Sequence, residues 1–155
     1  MKNLFFITLL LFAFTLTTTS CDDDAAVIET IIDSSRPTGD LTVTRAGDIV
    51  AQNDTGSQGE VQVGTDDAGV NFLRFGDDFQ TVLATGTVTV YFSTSQEFNA
   101  DPGNGNPDLK LVGAAQSNGE QLYRLENSVD AKFTHVILWC ASANIPFGYA
   151  ELTGI

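Results

Sequence analysis

Basic residues are scarce in this chain: seven Lys and Arg face 20 Asp and Glu, for a formal charge of −13. That balance excludes nucleic acid and anionic lipid headgroups as electrostatic partners, since both would be repelled. Histidine occurs once, at His135. Any Ser–His–acid or Cys–His machinery would have to use that single imidazole, and no Gly-x-Ser-x-Gly elbow accompanies it. No hydrolytic constellation is therefore present. Zinc needs three or four ligands, and one His with one mature thiol does not supply them. Cysteine occurs twice, at Cys21 and Cys140, and tryptophan once, at Trp139. There is no Cys-x-x-Cys-His haem-attachment motif.

Long apolar runs are also missing. The longest, Leu4 to Leu16, is interrupted only by Thr8 and Thr15 and is too short to span a bilayer. It follows Lys2 and ends in Thr17-Thr18-Thr19-Ser20, small residues that lead to Cys21. Residues 1–20 read as a secretory signal peptide, to be set aside in reasoning about the fold. A small residue directly before a cysteine resembles a bacterial lipobox, although Thr18 stands where leucine is usual. Cys21 is thus the expected lipidation site. A diacylglycerol and an N-acyl chain together suffice for stable anchoring. Asp22-Asp23-Asp24 follows at once and resembles a surface-export signal of bacterial lipoproteins; it reads equally as a solvated acidic tether. The expected location is the cell envelope, lipid-anchored to the outer membrane and exposed at the surface if that signal acts. With Cys21 lipidated, no disulfide can form within one mature chain. The 135 residues after the signal are long enough to bury a core without such staples.

Three regions follow: the signal peptide (1–20), an acidic tether (21–39) and one domain (40–155). Within the tether, Val27, Ile28, Ile31 and Ile32 are spaced for a short helical turn or an added edge strand, and Arg36-Pro37 and Gly39 end any helix. From residue 40 the chain reads as strand after strand. The segments are Leu41–Arg45, Asp48–Gln52, Glu60–Gly64, Gly69–Phe75, Val82–Ala84, Thr87–Ser93, Leu109–Ala114, Gln121–Leu125, Thr134–Ala141 and Gly148–Leu152. They are rich in Val, Thr, Phe and Tyr, and several alternate with period two. Ala46-Gly47-Asp48, Asn53-Asp54-Thr55-Gly56, Asp66-Asp67-Ala68-Gly69, Gly76-Asp77-Asp78 and Ser117-Asn118-Gly119 supply the turns. The expected fold is all-β: a single antiparallel β-sandwich, with a flattened β-barrel as the alternative.

Val136 through Ala141 is apolar at every position, so both faces of that strand should be covered, one by sheet and one by a loop or edge segment. Alternation puts Val136, Leu138 and Cys140 on one face and His135, Ile137, Trp139 and Ala141 on the other. Cys140 and His135 are therefore not a preformed pair.

Four segments carry a family resemblance. Gly56 to Val63 enters a strand from a glycine turn. Phe72-Leu73-Arg74-Phe75 is followed by Asp78-Phe79. Val88-Thr89-Val90-Tyr91-Phe92-Ser93 forms a Val-Tyr strand. Leu111 to Leu125, with Gly113, Gly119 and Tyr123, leads into Val136-Ile137-Leu138-Trp139-Cys140 and ends at Phe147-Gly148-Tyr149-Ala150-Glu151-Leu152. In this order they resemble the DM-thirteen domain, a module found alone in bacterial lipoproteins and beside DOMON domains in animal proteins. The resemblance implies a β-sandwich, a use related to electron transfer, and a role for the cysteine matching Cys140 as redox thiol or haem ligand. Two stretches depart from the family pattern. Ala51-Gln52-Asn53-Asp54-Thr55-Gly56 lacks the histidine many relatives carry before the first glycine turn. Ala84-Thr85-Gly86-Thr87-Val88 replaces a Gly-Pro-Asp-Leu opening.

Two functions are open. In one, the domain is a redox or electron-transfer accessory module with Cys140 as its thiol or as a haem ligand, meeting a redox partner at the envelope. In the other, it is a non-enzymatic surface module that binds another protein or a glycan through its loops, with Cys140 as a small core residue. Lys132 and His135 are the nearest cations in sequence that could activate the thiol. Asp101, Asn104, Asn106 and Asp108 in the polar loop from Asn99 offer oxygens suited to calcium, but no Glu closes the set, and a Pro- and Gly-rich excursion accounts for the loop. No metal site is expected.

Overall fold

The computed structural model describes residues 33–84, 86–99 and 106–155. The signal peptide, Cys21, the acidic run and the apolar positions from Val27 to Ile32 lie outside the described residues, as do Asp101 and Asn104. Among the described residues every regular element is a strand: β1 (Thr42–Ala51), β2 (Glu60–Thr65), β3 (Asn71–Phe75), β4 (Val88–Ser93), β5 (Leu109–Ala115), β6 (Gln121–Leu125), β7 (His135–Cys140), β8 (Ile145–Glu151) and β9 (Thr153–Gly154). The spatial order is β5-β4-β7-β8-β1-β2-β3-β6, with β9 also on β1. All pairings are antiparallel.

β1 joins the two halves of the sheet. Thr42 to Asp48 pair with β2, and Ile49 to Ala51 pair with β8. β9 pairs with Arg45 and Ala46. The Ala46-Gly47-Asp48 turn expected from the sequence is instead the middle of this strand. Glycine is there because a Cβ on Gly47 would stand 2.0 Å from the Glu151 carbonyl oxygen. A glycine inside a strand marks such a close backbone approach as well as it marks a turn. A bulge between Val43 and Arg45 adds to the local twist.

The two end strands curl toward each other. The Tyr123 hydroxyl donates to the Ala114 carbonyl at 3.0 Å, and the Gln116 amide donates to Gln121 Oε1 at 2.9 Å. A Cβ on Gly113 would sit 3.2 Å from the Tyr123 ring. These contacts bring β5 and β6 together through side chains, without a backbone ladder between them. The result is an antiparallel sheet nearly closed into a barrel, in agreement with the all-β expectation and with its flattened-barrel form.

Period two sets the interior. Val61 and Val63, Leu73 and Phe75, Val88, Val90 and Phe92, and Val136, Leu138 and Cys140 all join one core with Phe79 and Phe147. At one end the Arg45 guanidinium donates to the carbonyls of Phe133 (2.7 Å) and Val129 (3.3 Å), tying down the loop before β7. Elsewhere Ser57 Oγ and Thr81 Oγ1 meet at 2.8 Å, and Thr55 Oγ1 donates to the Phe147 carbonyl at 2.5 Å. Val82–Ala84, expected as a strand, is a covering segment. Val82 is exposed while Leu83 packs on the core. Its β-branched composition fits a half-buried surface whether or not a ladder forms.

Residues 34–38 run along this barrel. The Ser34 carbonyl accepts from Arg124, and the Asp67 amide donates to the Thr38 carbonyl. Asp66, 7% exposed, anchors the crossing. Its carboxylate accepts from the amides of Thr38 (2.8 Å), Ala68 (3.0 Å) and Val70 (2.7 Å). The Thr38 bond is the main cause holding this carboxyl below the usual carboxylate range; the Val70 and Ala68 bonds and the Arg124 charge add to it, against desolvation. A depressed folded pKa gives stability that is present above the unfolded value of about 3.9 and lost as pH falls through the folded value. Asp66→Asn should therefore unfold at lower urea than the parent at pH 7, because its NH₂ cannot accept from an amide. The gap should narrow below pH 4. Urea midpoints of both chains from pH 7 to pH 2 check this, and a gap independent of pH would refute it.

Candidate functional site

Cys140 ends β7. Its register partners are Val88 on β4 and Ile145 on β8. It is 0% exposed and belongs to the same buried cluster as Val88, Ala115, Leu138 and Phe147. The inward orientation follows from the parity of the strand, as the sequence implies. What the sequence did not single out is Ser142. The strand turns immediately after Cys140, and residues 141–144 are all exposed. Asn144 takes φ 56°, the left-handed conformation that lets the turn close in so few residues. The turn carries Ser142 Oγ back to 3.3 Å from Cys140 Sγ. Gly86 passes over the same spot, where a Cβ would lie 2.5 Å from Ser142 Oγ, and its φ of +122° favours glycine independently. The thiol is therefore enclosed, yet one turn away from solvent. A serine two residues past the strand's last apolar residue was the available signal.

His135 and Lys132 lie at the other end of β7. Five residues of strand separate His135 from Cys140, about 17 Å. His135 Nδ1 contacts Thr134 Oγ1 at 2.8 Å, and its ring lies 6.1 Å from that of Tyr149. Lys132 Nζ donates to the Pro107 carbonyl and lies 5.0 Å from the centre of the Phe133 ring. Neither cation stands beside the thiol, so the activation the sequence offered through them is not built here. A buried thiol in apolar surroundings is unreactive compared with one beside a cation.

Haem does not fit this position. Ligation needs the sulfur to face an open slot wide enough for a planar macrocycle, and the Cys140 side chain is fully enclosed by packed core residues. An imidazole on the opposite face, five positions away, cannot share the iron with it.

The polar loop also resolves into local structure at its described ends. Asn106 Oδ1 accepts from the Asp108 amide, the Asn106 side-chain amide donates to the Asn99 carbonyl, and the Asp108 carbonyl accepts from Thr94. Both residues are thus engaged in turns.

The outward face of β7 is covered, as its apolar run requires. Phe98 stacks on Trp139 with centroids 4.0 Å apart and planes at 15°, and meets Tyr91 edge-on at 5.1 Å. Ile137, although on the outward face, is 0% exposed.

Comparison with curated proteins and with solved structures gives no match. Comparison with protein families gives one: residues 49–152 match the model described as Electron transfer DM13. The matched stretch begins within β1, runs through β8 and contains Cys140, Ser142 and the outward aromatic residues. It covers more than half of the chain, and the protein accordingly belongs to the Electron transfer DM13 family.

Proposed function

We propose that this protein is a lipid-anchored, extracytoplasmic accessory module of electron transfer, held to the outer membrane through Cys21, in which Cys140 is a gated thiol. The supporting observation is the position of Cys140: fully buried, but 3.3 Å from the hydroxyl of a serine on an exposed four-residue turn. Local openings of such turns cost less than global unfolding. A thiol behind one is silent in the resting fold and reactive when the turn lifts. That arrangement suits a module that exchanges electrons only when a partner opens it.

The test is labelling of Cys140 with a thiol reagent across low urea concentrations. The expected rate is roughly 10²- to 10⁴-fold below that of the denatured chain and nearly independent of urea, as local opening exposes little surface. A rate that rises with urea in step with global unfolding would make Cys140 a core residue. That outcome supports the second reading, a binding module whose contact surface is the outward aromatic face around Tyr91, Trp139 and Tyr149. Cys140→Ala, which should retain the fold, shows that the label reports on this thiol.

A further inference from the structure

The outward face of five adjacent strands carries one continuous apolar row. The register aligns Leu111 on β5 with Tyr91 on β4, Tyr91 with Ile137 on β7, Ile137 with Tyr149 on β8, and Tyr149 with Val50 on β1. At about 4.8 Å per strand the row is about 19 Å across. Its ends are open, Leu111 at 60% exposed and Val50 at 49%, with Tyr91 and Tyr149 half-buried and Ile137 at its middle 0% exposed. Trp139 flanks the row under Phe98. Accessible apolar surface is thus found at the Val50 end, where Val50 continues into the half-buried Tyr149 ring.

The charges beside the row differ at its two ends: Leu111 shares a surface hollow with Lys110, Arg124 and Glu126, whereas the Val50 end is acidic. Asp48 precedes Val50 by two positions on β1, and Glu151 follows Tyr149 by two on β8, so both project from the same outward face and both are exposed. Neither has a Lys or Arg within ion-pair distance among the described residues. The cation of β1 points the other way. Arg45 pairs with Val63, a core residue. On β1 and β8 the alternation has thus put Arg45 on the inward set and Asp48 and Glu151 on the outward one. Among the described residues of β7 and β8, His135, next to Glu151, is the one basic side chain that the register places on the outward face.

We infer that this face docks a positively charged redox protein through an apolar patch of its own. This deepens the accessory-module reading and rests on it for the redox nature of the partner. The occupant follows from charge complementarity: the acidic rim of Asp48 and Glu151 on a chain of net charge −13 steers cationic proteins toward the Val50 end of the row and repels acidic ones. The apolar row then supplies short-range contact without a fixed network of polar bonds, which suits an encounter that must also dissociate.

Trp139 is the only tryptophan and flanks the row, so its fluorescence reports on this face. The probe is a basic c-type cytochrome, whose haem quenches a nearby indole, titrated into the full chain; an acidic c-type cytochrome is the control. Saturable quenching by the basic probe is expected, with an apparent Kd about tenfold weaker on raising salt from 0.05 to 0.5 M. Val50→Ser and the double variant Asp48→Asn, Glu151→Gln are each expected to weaken binding by at least fivefold. All three positions are exposed, so the fold should persist, and an unchanged urea midpoint checks it. Equal quenching by both cytochromes, no saturation, or binding indifferent to these variants would overturn the inference. Cys140 labelling is read in the same variants. Unchanged labelling with lost docking assigns the effect to this face, and docking that persists while Cys140 labels only on global unfolding refutes the gated thiol and leaves the docking face standing.

Discussion

Gly47→Ala is expected to prevent the native fold at 37 °C, or to lower stability by about 3 kcal/mol or more if a folded state survives. The added methyl would lie 2.0 Å from the Glu151 carbonyl oxygen and 2.9 Å from its carbon. Both are backbone atoms, so no side chain can rotate away. The clash falls where β1 passes from pairing with β2 to pairing with β8. Relief requires β8 to separate from β1, which opens the sheet at its middle. Gly154→Ala is the matched control, since a Cβ there meets nothing within 4 Å. Urea unfolding of both variants, followed by far-UV circular dichroism, decides the matter. Equal midpoints for Gly47→Ala and the parent would show that β1 does not need this close crossing.

Phe75→Ala is expected to cost about 3–5 kcal/mol, the range for deleting a buried phenyl ring. Phe75 is 0% exposed. It stacks on Phe79 with centroids 4.4 Å apart and meets Tyr123 edge-on at 5.8 Å. The same ring therefore supports the turn after β3 and the strand that faces β5 across the seam. Tyr123 is itself largely buried, and desolvation pushes its phenol pKa up to about 12. With Phe75 truncated, Tyr123 gains solvent and its pKa should move back toward 10. The ultraviolet titration of the tyrosines then reports a local change separately from the urea midpoint. A Tyr123 titration unchanged beside a large loss of stability would mean that the ring supports the core without supporting the seam. A loss below 1 kcal/mol would mean that the site collapses around the missing ring.

Much of the fold could be read from residue patterns, and the exceptions have physical causes. β6 is expected with the limits it has, because Leu122, Tyr123 and Leu125 follow a Ser-Asn-Gly turn whose glycine takes φ +87°. The inward placement of Cys140 followed from counting along an apolar run. β1 was divided in two because a glycine that permits a close crossing has the same local sequence as one that makes a turn. β9, two residues long, carries too little pattern to register. The seam had no local signal at all: β5 and β6 are joined by a good turn, yet β6 takes β3 as its ladder partner and β5 takes β4. Partner choice is a property of the whole sheet. At the candidate site the thiol stood out by rarity, while Ser142 did not, since its importance lies in a turn that folds it back. The docking row was equally hidden, as it is made of one residue from each of five strands.

The placement of β1 also sets the order in which the molecule can form. Its partner β2 follows within about 20 residues, whereas Ala51 pairs with Gly148, about 100 residues later. A sheet closed by such distant pairs folds slowly, in the range of milliseconds to seconds. Until residues 145–154 arrive, one edge of β1 stays open beside Ile49 and Val50, a β-branched pair suited to adding onto a neighbouring chain. Hairpins β2–β3 and β4–β5 can assemble early; the spine between the two halves is completed last. Refolding intermediates should therefore protect Val61 and Val63 well before Gln52, whose amide donates to the Phe147 carbonyl, and a brief dilution jump should yield aggregates linked through β1.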